Sequence, residues 1–515
     1  MKILNFVINS FTQIRKLYKI KQILTSINEY KAISGKGNNE VQYTDKLTKL
    51  KSQIFECGFL YVKFFQWYIS KLKSDIIQSN VKTEQNYTDD EVENMCNFIS
   101  HFEDIFEQCP YHDIEATQQT FQEMMSGVLL EEFVDIATLK PIASGSIGQV
   151  YYARLKTDSE TQIAIKVKHP NIDDELEEQQ NIINIIRYLQ SIPFFRKRYN
   201  LFFNIDDFLK DLTLQCDFNN EAKNVKQFIE NFADSSQYVK FPEVIFASRD
   251  MLISEYIEGD AFETLTEFQR GQISLTFLCF FYQMLIIDNF IHGDLHCKNW
   301  KVRLNPDSLA KNPQIVVYDC GICFSNIDTR LTKDFWIALG KYDVLELAKT
   351  IRQFIISSKY QITIDDLERE IIQMLRDLDT NFLGTQMLLR NILNFFTKHD
   401  IIVHKFLLNL TITMCLIEEF LKKTDIIDKD TVKCANIYDA INASQLDVVA
   451  FTRAKGCFPR IKELFEVDMD NKFKQYNENI VKNGVELELE TGNVENKLFH
   501  ILETTKLKFR PPCDI

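Results

Sequence analysis

The chain has 515 residues, of which 45% are hydrophobic and 26% are charged, the composition of an ordinary globular protein long enough for several domains. Only 15 glycines and 10 prolines occur, which excludes collagen-like and linker-dominated chains and favours long helices. The net charge of −14 argues against a nucleic-acid partner, because phosphate binding requires clustered Lys and Arg. The 12 cysteines are spread along the chain, which predicts reduced thiols in an intracellular compartment.

The first predicted segment, residues 1–40, is basic and amphipathic. No acidic residue precedes Glu29, and apolar residues recur at helical spacing between Leu4 and Tyr18. Such a segment is typical of a mitochondrial presequence, of a membrane-surface anchor, or of a surface helix packed on the rest of the protein. A mitochondrial or peripheral-membrane location therefore stays open within the intracellular prediction.

Four further segments follow in chain order. Residues 41–135 have a helical pattern, and residues 136–262 combine period-two strand patterns with a helical insert. Residues 263–450 are predominantly helical, with two predicted strands near 300–304 and 314–318, and residues 451–515 form a polar C-terminal extension.

Two apolar stretches within the helical half resemble membrane spans. Residues 273–291 contain Gln283, Asp288 and Asn289, and residues 405–420 are too short and end in acidic residues. A span needs about 20 apolar residues. We therefore predict that both stretches are buried helices of a large core.

A glycine-containing loop begins the motifs that carry chemistry. It approaches the pattern G-x-G-x-x-G-x-V, with Ala143 in place of the first glycine. Small residues let backbone N–H groups come close to phosphate oxygens, although a tight turn between strands has the same appearance. The candidate phosphate-binding residues are Ala143, Ser144, Gly145, Ser146, Gly148 and Val150.

A lysine follows this loop in a predicted strand. Ile163, Ile165 and Val167 alternate with Ala164, Lys166 and Lys168, so that the two sets lie on opposite faces. A lysine held in this way suits binding to the α- and β-phosphates of a nucleotide. The alternative is an ordinary solvent-facing lysine.

Two acidic motifs complete the set. In His292-Gly-Asp294-Leu-His296-Cys-Lys-Asn299, the aspartate can orient a hydroxyl group and the asparagine can ligate Mg²⁺. The two histidines are expected to hydrogen-bond within the loop rather than to bind metal. Asp319 ends a hydrophobic strand before Gly321, where it can hold Mg²⁺ or cap the turn. The joint occurrence of these motifs in this order predicts kinase-like nucleotide binding.

The motifs, together with CDFNNEAKNVKQF, resemble the atypical kinase family called UbiB, ABC1 or ADCK, from about residue 50 to about residue 450. The resemblance implies an α+β, protein-kinase-like bilobal fold with a small β-rich N-lobe, a helical C-lobe and an N-terminal helical extension. It implies ATP or ADP and Mg²⁺ as cofactors. Lys166 would contact phosphates and pair with Glu221, Asp294 would be the catalytic acid, and Asn299 and Asp319 would hold Mg²⁺.

The resemblance also implies a regulatory role for the N-terminal extension. The family signature K-x-G-Q corresponds to Lys63 and Gln66, but Phe65 replaces the glycine. The acid that the family lysine would meet is Gln215 in this chain. Both differences count against gating of the site in the family's manner.

The leading hypothesis is a Mg²⁺-dependent ATPase or phosphotransferase. The resemblance implies support of isoprenoid lipid metabolism of the coenzyme Q type, with membrane lipid or lipid-biosynthesis proteins as partners. The alternative is a catalytically weak nucleotide-binding scaffold that organises partner proteins or membrane lipid. A small-molecule kinase of the aminoglycoside or choline type is disfavoured by the extension that carries Lys63 and Gln66 and by the position of Glu221, 55 residues after Lys166.

Overall fold

The computed structural model describes residues 40–413, with its longest gaps at 70–88, 178–204, 306–312 and 378–387 and shorter gaps elsewhere. The chain divides into two compact units, of which the first comprises residues 1–223 and 243–257 and the second the remainder. The predicted segments 1–40 and 451–515 lie outside the described residues, apart from Glu40. The described residues combine strands and helices, as the α+β prediction states.

The first unit contains a five-stranded antiparallel sheet and several helices. Its strands lie in the order β1-β2-β3-β6-β5. The described elements are α1 (Glu40–Cys57), α2 (Asp89–Phe102), α3 (Ile114–Met124), α4 (Leu130–Phe133), β1 (Lys140–Ser144), β2 (Gly148–Arg154), β3 (Gln162–Lys168), α5 (Ile205–Gln215), β5 (Val244–Ala247) and β6 (Met251–Glu255). Helix α6 (Phe218–Asn231) begins in this unit, and its last eight residues belong to the second.

The sheet forms where period-two patterning was found. Ile163, Ile165 and Val167 are all at most 1% exposed, which confirms the predicted inner face of β3. They pack with Phe121 of α3 in one hydrophobic cluster. In the ladder, Val150 of β2 lies opposite Lys166 of β3, which fixes the position of that lysine relative to the glycine loop.

The helical extension packs in two hydrophobic clusters of the first unit. Phe65 is buried within one cluster, with its ring centroid 5.4 Å from that of Phe102. Phe59 and Leu60 belong to a second cluster that includes Ile147 of the glycine loop and Phe218 of α6. The extension therefore shares its apolar core with the loop that sequence analysis selected for phosphate binding.

The second unit combines helices with short sheets. A three-stranded sheet has the order β4-β9-β8, with β4 parallel and β8 antiparallel to β9, and the pairs β7–β10 and β11–β12 are antiparallel. The further elements are β4 (Val239–Lys240), α7 (Glu267–Tyr282), β7 (Phe290–His292), β8 (Trp300–Leu304), β9 (Pro313–Val317), β10 (Cys323–Ser325), α8 (Val344–Gln353), β11 (Ile355–Ser358), α9 (Ile364–Asp377) and β12 (Ile401–Val403).

The prediction of one helix over 273–291 was correct as far as Ile287 and wrong for the last four residues. Helix α7 ends at Tyr282, a π-helical turn spans Gln283–Ile287, and β7 follows after Asn289 at a φ of 48°. Burial of both the helix and the strand gives one uninterrupted apolar sequence, which hid the boundary. Among the described residues, no helix is long and apolar enough to span a membrane.

Candidate functional site

The glycine loop is the turn between β1 and β2. Ala143 and Ser144 end β1, Gly148 begins β2, and the Gly145 N–H donates to the Gly148 carbonyl at 3.0 Å. A Cβ atom at Gly148 would lie 2.5 Å from the Val167 carbonyl oxygen, so the close approach of β2 to β3 requires glycine there. Ser146 is buried within the turn, and Val150 lies in β2.

Lys166 lies on β3 and forms an ion pair with Glu221 near the start of α6. Their Nζ and Oε2 atoms are 2.8 Å apart, and their side chains are 16% and 6% exposed. The Lys166 ammonium also lies 5.1 Å from the centroid of the Phe218 ring. Partial removal from water makes this charge-assisted hydrogen bond stronger than a surface pair.

Lys168, the next residue on the same face, is also buried rather than solvent-facing. Its ammonium is 2.5 Å from Asp250 and 3.4 Å from Asp173. It belongs to a separate ion cluster, since Arg249 donates to Asp173 at 2.8 Å. Lys166 and Lys168 are therefore both paired, but with different acids.

The loop after β7 is shaped by its own hydrogen bonds. The Asp294 N–H donates to His292 Nδ1 at 3.2 Å, and the Asn299 side-chain amide donates to the Asp294 carbonyl at 2.8 Å. His296 Nδ1 accepts from the Lys298 N–H at 3.2 Å. Both histidines therefore hydrogen-bond within the loop, as predicted. Among the described residues, no group of three or more His, Cys, Asp and Glu side chains is arranged to hold a metal ion.

Asn299 lies directly before β8, and Asp319 lies two residues after the end of β9. Because β8 and β9 are antiparallel, both residues are at the same end of this pair of strands. The Tyr318 N–H donates to the Asn299 carbonyl at 2.8 Å, and Asp319 is exposed with a φ of 43°. Asp319 Oδ1 accepts from the Gly321 N–H at 3.2 Å. Asp294, Asn299 and Asp319 are thus brought together in one unit.

These residues fit a magnesium ion in donor chemistry. The Asn299 amide nitrogen donates to the Asp294 carbonyl, so the amide oxygen Oδ1 is the Asn299 atom that could ligate a metal ion. Carboxylate and amide oxygens are the ligands that Mg²⁺ prefers. Asn299 and Asp319 therefore offer two suitable oxygen donors at one end of the β8–β9 ladder.

Sequence reasoning did not find Asn224, which supports the Asp319 turn. Asn224 lies on α6 three residues after Glu221 and donates to the Cys320 carbonyl at 2.8 Å. The neighbouring Cys323 thiol and complete burial raise the pKa of Cys320 well above its ordinary value. Cys320 is therefore a neutral, buried residue beside the turn.

The regulatory residues proposed for the extension have local partners. Gln66 is buried and donates to the Ile105 carbonyl at 3.0 Å, within the extension itself. Gln215 donates to the Asp211 carbonyl of its own helix at 3.3 Å. Burial raises the pKa of the neighbouring Cys216 to about 11, while the ammonium groups of Lys168 and Lys63 act in the opposite direction.

The comparisons with known proteins identify the class first. Residues 104–351 match the family model described as an ABC1 atypical kinase-like domain. The matched part of the chain includes every motif from the glycine loop to Asp319.

Several individual proteins are similar to part of the chain. The chain is 28% identical over 220 residues to a probable serine/threonine-protein kinase, abkC, of Dictyostelium discoideum, covering 42% of this chain and 31% of that protein. It is 33% identical over 209 residues to a probable protein kinase, UbiB, of Aliivibrio fischeri, covering 39% and 37%. A mitochondrial ABC1 family protein of Saccharomyces cerevisiae is 27% identical over 219 residues, covering 37% and 33%. The chain is similar to proteins named UbiB and ABC1, and it spans about a third of the length of these relatives.

Proposed function

We propose that the chain binds ATP or ADP together with Mg²⁺ and acts as a kinase-like ATPase or phosphotransferase. The observation that carries this proposal is the ion pair between Lys166 and Glu221 at 2.8 Å, on the strand that follows the glycine loop. An acid that holds a strand lysine in place for the phosphates is a recurring part of kinase active sites. In this proposal, segment 136–262 is the N-lobe and segment 263–450 the C-lobe.

The nucleotide-binding residues act through backbone and charge. The turn from Ala143 to Val150 would present N–H groups to phosphate oxygens, while Glu221 keeps the Lys166 ammonium at a fixed position on β3. Asn299 and Asp319 would hold Mg²⁺, which supplies positive charge that stabilises the transferring phosphoryl group. Asp294, with a side chain 31% exposed, would orient the attacking hydroxyl group or water and accept its proton.

The wider role is proposed from the family. Relatives include proteins named UbiB, so we infer a role in isoprenoid lipid metabolism of the coenzyme Q type. Membrane lipid or lipid-biosynthesis proteins would be the partners, and nucleic acid would not. The yeast relative is named as mitochondrial, which supports a mitochondrial or peripheral-membrane location for this chain.

A catalytically weak nucleotide-binding scaffold is the second candidate. Phe65, which replaces the family glycine, is 5% exposed and packs against Phe98 and Phe102. Gln215 replaces an acid and bonds to its own helix. An extension whose motif residues serve internal packing would regulate the site differently from the family pattern, and this favours a scaffold.

Thermal unfolding with and without nucleotide and Mg²⁺ tests the proposed binding. We expect ADP with Mg²⁺ to stabilise the wild-type chain by about 2.7 kcal/mol at 100 times its dissociation constant. Asp319→Asn should lose the Mg²⁺-dependent part of this stabilisation, whereas Asp334→Asn should retain it, because Asp334 is an exposed residue paired with Arg330. Equal stabilisation of wild type and Asp319→Asn would contradict the metal assignment.

ATP turnover separates the enzyme from the scaffold. We expect measurable turnover in the wild type and a loss of at least 100-fold in Asp294→Asn, with ADP binding retained, because removal of a positioned base costs about 10²–10⁴ in rate. Nucleotide binding without turnover above that of Asp294→Asn would favour the scaffold. Absence of nucleotide binding would reject both.

A further inference from the structure

Two histidines distant in sequence meet beside the glycine loop. His112 Nδ1 and His169 Nδ1 are 2.7 Å apart, and the rings meet edge to face with centroids at 4.9 Å. His169 Nε2 lies 2.9 Å from the Gly145 carbonyl oxygen, and the His169 backbone N–H donates to the Ile147 carbonyl at 2.9 Å. A single residue outside the loop thus binds two carbonyl groups within it.

The protons of this pair can be assigned from the partners. A carbonyl oxygen only accepts, so His169 Nε2 must carry the hydrogen that binds Gly145. The neutral His169 ring then accepts at Nδ1, and His112 donates from its own Nδ1. His112 Nε2 consequently accepts from the Thr117 hydroxyl at 2.8 Å.

The series of hydrogen bonds continues beyond Thr117 with the same direction of donation. Thr117 Oγ1 accepts from the Tyr151 hydroxyl at 3.0 Å, and Tyr151 accepts from the Gln149 side-chain amide. Burial and the mutual repulsion of the two rings lower the pKa of His112 to about 4, with Asp113 acting in the opposite direction, and burial lowers the pKa of His169 despite its bond to Gly145. Both rings are therefore neutral near pH 7, as the proton assignment requires.

The segment that carries His112 is attached to both sides of the glycine loop. We call residues 109–112, which precede α3 within the helical extension, the strap. The Cys109 N–H donates to the Ser144 carbonyl at 2.8 Å, before the turn. The His112 N–H donates to the Gln149 side-chain oxygen at 2.9 Å, after the turn. The strap and His169 together fix both ends of the loop.

We propose that His169 is a positioning residue for nucleotide binding, which holds the Gly145 carbonyl and so the shape of the phosphate loop, and that His112 of the strap fixes the required tautomer of His169. This inference rests on the proposed function. Because His169 binds two carbonyl groups of the loop, the peptide N–H groups of the loop keep one orientation before nucleotide binds. Preorganisation of this kind lowers the cost of binding.

Two amide substitutions at position 169 separate the two bonds of the ring. The side-chain amide of His169→Gln reaches the former Nε2 position and can donate to Gly145, whereas that of His169→Asn reaches only the former Nδ1 position and keeps the bond to His112. The probe is ADP without Mg²⁺, measured by titration calorimetry at pH 7.5. We expect His169→Gln to bind within threefold of wild type and His169→Asn at least tenfold more weakly.

Melting temperatures and a variant outside the glycine loop serve as controls. Each amide variant loses one hydrogen bond, so we expect similar melting temperatures for both. A difference in ADP affinity between them would then not be explained by a difference in stability. Thr117→Val, at the far side of His112, should keep ADP affinity within twofold. Equal ADP affinity in His169→Gln and His169→Asn, whether both normal or both weak, would overturn the proposal. If His169→Asn does not fold, His112→Leu replaces it, with an expected weakening of about threefold, and unchanged affinity overturns the proposal.

Amide hydrogen exchange distinguishes this inference from the proposed function. The Gly145 N–H, which donates to Gly148 within the loop, should exchange at least tenfold faster in His169→Asn than in His169→Gln without any nucleotide. Equal exchange rates would remove the positioning role even if the wild-type chain binds ADP. A wild-type chain that fails to bind ADP would reject the proposed function, while the exchange measurement would still decide the positioning of the loop.

Discussion

The lysine–glutamate pair of the first unit and the acidic loop of the second are built in different ways. Lys166 and Glu221 are held by each other, and their side chains are 16% and 6% exposed. Asp294 is 31% exposed and Asp319 is exposed, and the positions of both are set by backbone hydrogen bonds of the loop. The charges of Lys166 and Glu221 neutralise each other, whereas the carboxylates of Asp294 and Asp319 are accessible to solvent.

The difference in exposure follows from what each group would bind in the proposed function. A lysine that contacts phosphates must be held in one rotamer, and a buried acid does this through a strong charge-assisted bond. A metal ligand must present its oxygen atoms outward, so its support comes from the backbone and from neighbours such as Asn224 and His292. We therefore expect substitutions in the first group to affect folding stability, and substitutions in the second to affect metal binding.

The largest effect is expected at Gly148 in the closely packed region. Gly148→Ala places a Cβ atom 2.5 Å from the Val167 carbonyl oxygen and 3.2 Å from the Phe218 ring. Because the first contact is with backbone, we expect a loss of about 3 kcal/mol in the free energy of unfolding by urea. Gly127→Ala is the matched control, since nothing lies within 4 Å of its Cβ and only its φ of 94° opposes the change. Equal losses for both variants would contradict the steric explanation.

Glu221→Gln should lower the free energy of unfolding by about 2 kcal/mol. The substitution removes the negative charge that pairs with Lys166 and nearly preserves the shape of the side chain. Glu230→Gln on the same helix should change the free energy of unfolding by less than about 0.5 kcal/mol, because its pair with Lys226 is exposed. Chemical denaturation of both variants provides the measurement. A Glu221→Gln chain as stable as Glu230→Gln would show that the pair contributes nothing to folding.

The histidine pair makes the first unit sensitive to acid. The pKa of His112 falls from 6.5 to about 4 on folding, and that of His169 also falls. The two histidines therefore bind protons more readily in the unfolded chain than in the folded one. Their contribution to the free energy of unfolding is constant above about pH 7 and decreases as pH falls from 6.5 toward 4. Urea unfolding at pH 7.5 and pH 5.0 should show a larger decrease in wild type than in His112→Leu. The same decrease in both chains would exclude His112 as its source.

The sequence predicted what local patterns encode and missed what only tertiary contacts create. The alternation at Ile163, Ile165 and Val167 predicted β3, and the family motif implied the partnership of Lys166 with Glu221, which the structure places at 2.8 Å. The strand β7 was missed because burial makes helix and strand equally apolar between 273 and 291.

The supporting residues of the site were missed for a related reason. His112 and His169 are 57 positions apart in the sequence, and the motifs gave neither of them a role. Asn224 stands within NEAKN, but only its contact with the Cys320 carbonyl distinguishes it from an ordinary exposed helix residue. Positioning residues act through backbone carbonyl groups, which are identical along the whole sequence. No pattern of side chains therefore identifies their targets.

The smallest change in stability is expected at Asp319, and it sharpens the contrast with Glu221. Asp319 is exposed and occupies the left-handed region at a φ of 43°, which asparagine adopts as readily as aspartate. Asp319→Asn also keeps an oxygen atom that can accept from the Gly321 N–H. Without nucleotide and Mg²⁺, we expect its free energy of unfolding to lie within about 0.5 kcal/mol of wild type. Asp319→Ala loses this bond and meets left-handed strain, so it should be about 1–2 kcal/mol less stable than Asp319→Asn. A large loss in Asp319→Asn itself would mean that this carboxylate, like Glu221, is part of the folded core rather than a group reserved for metal.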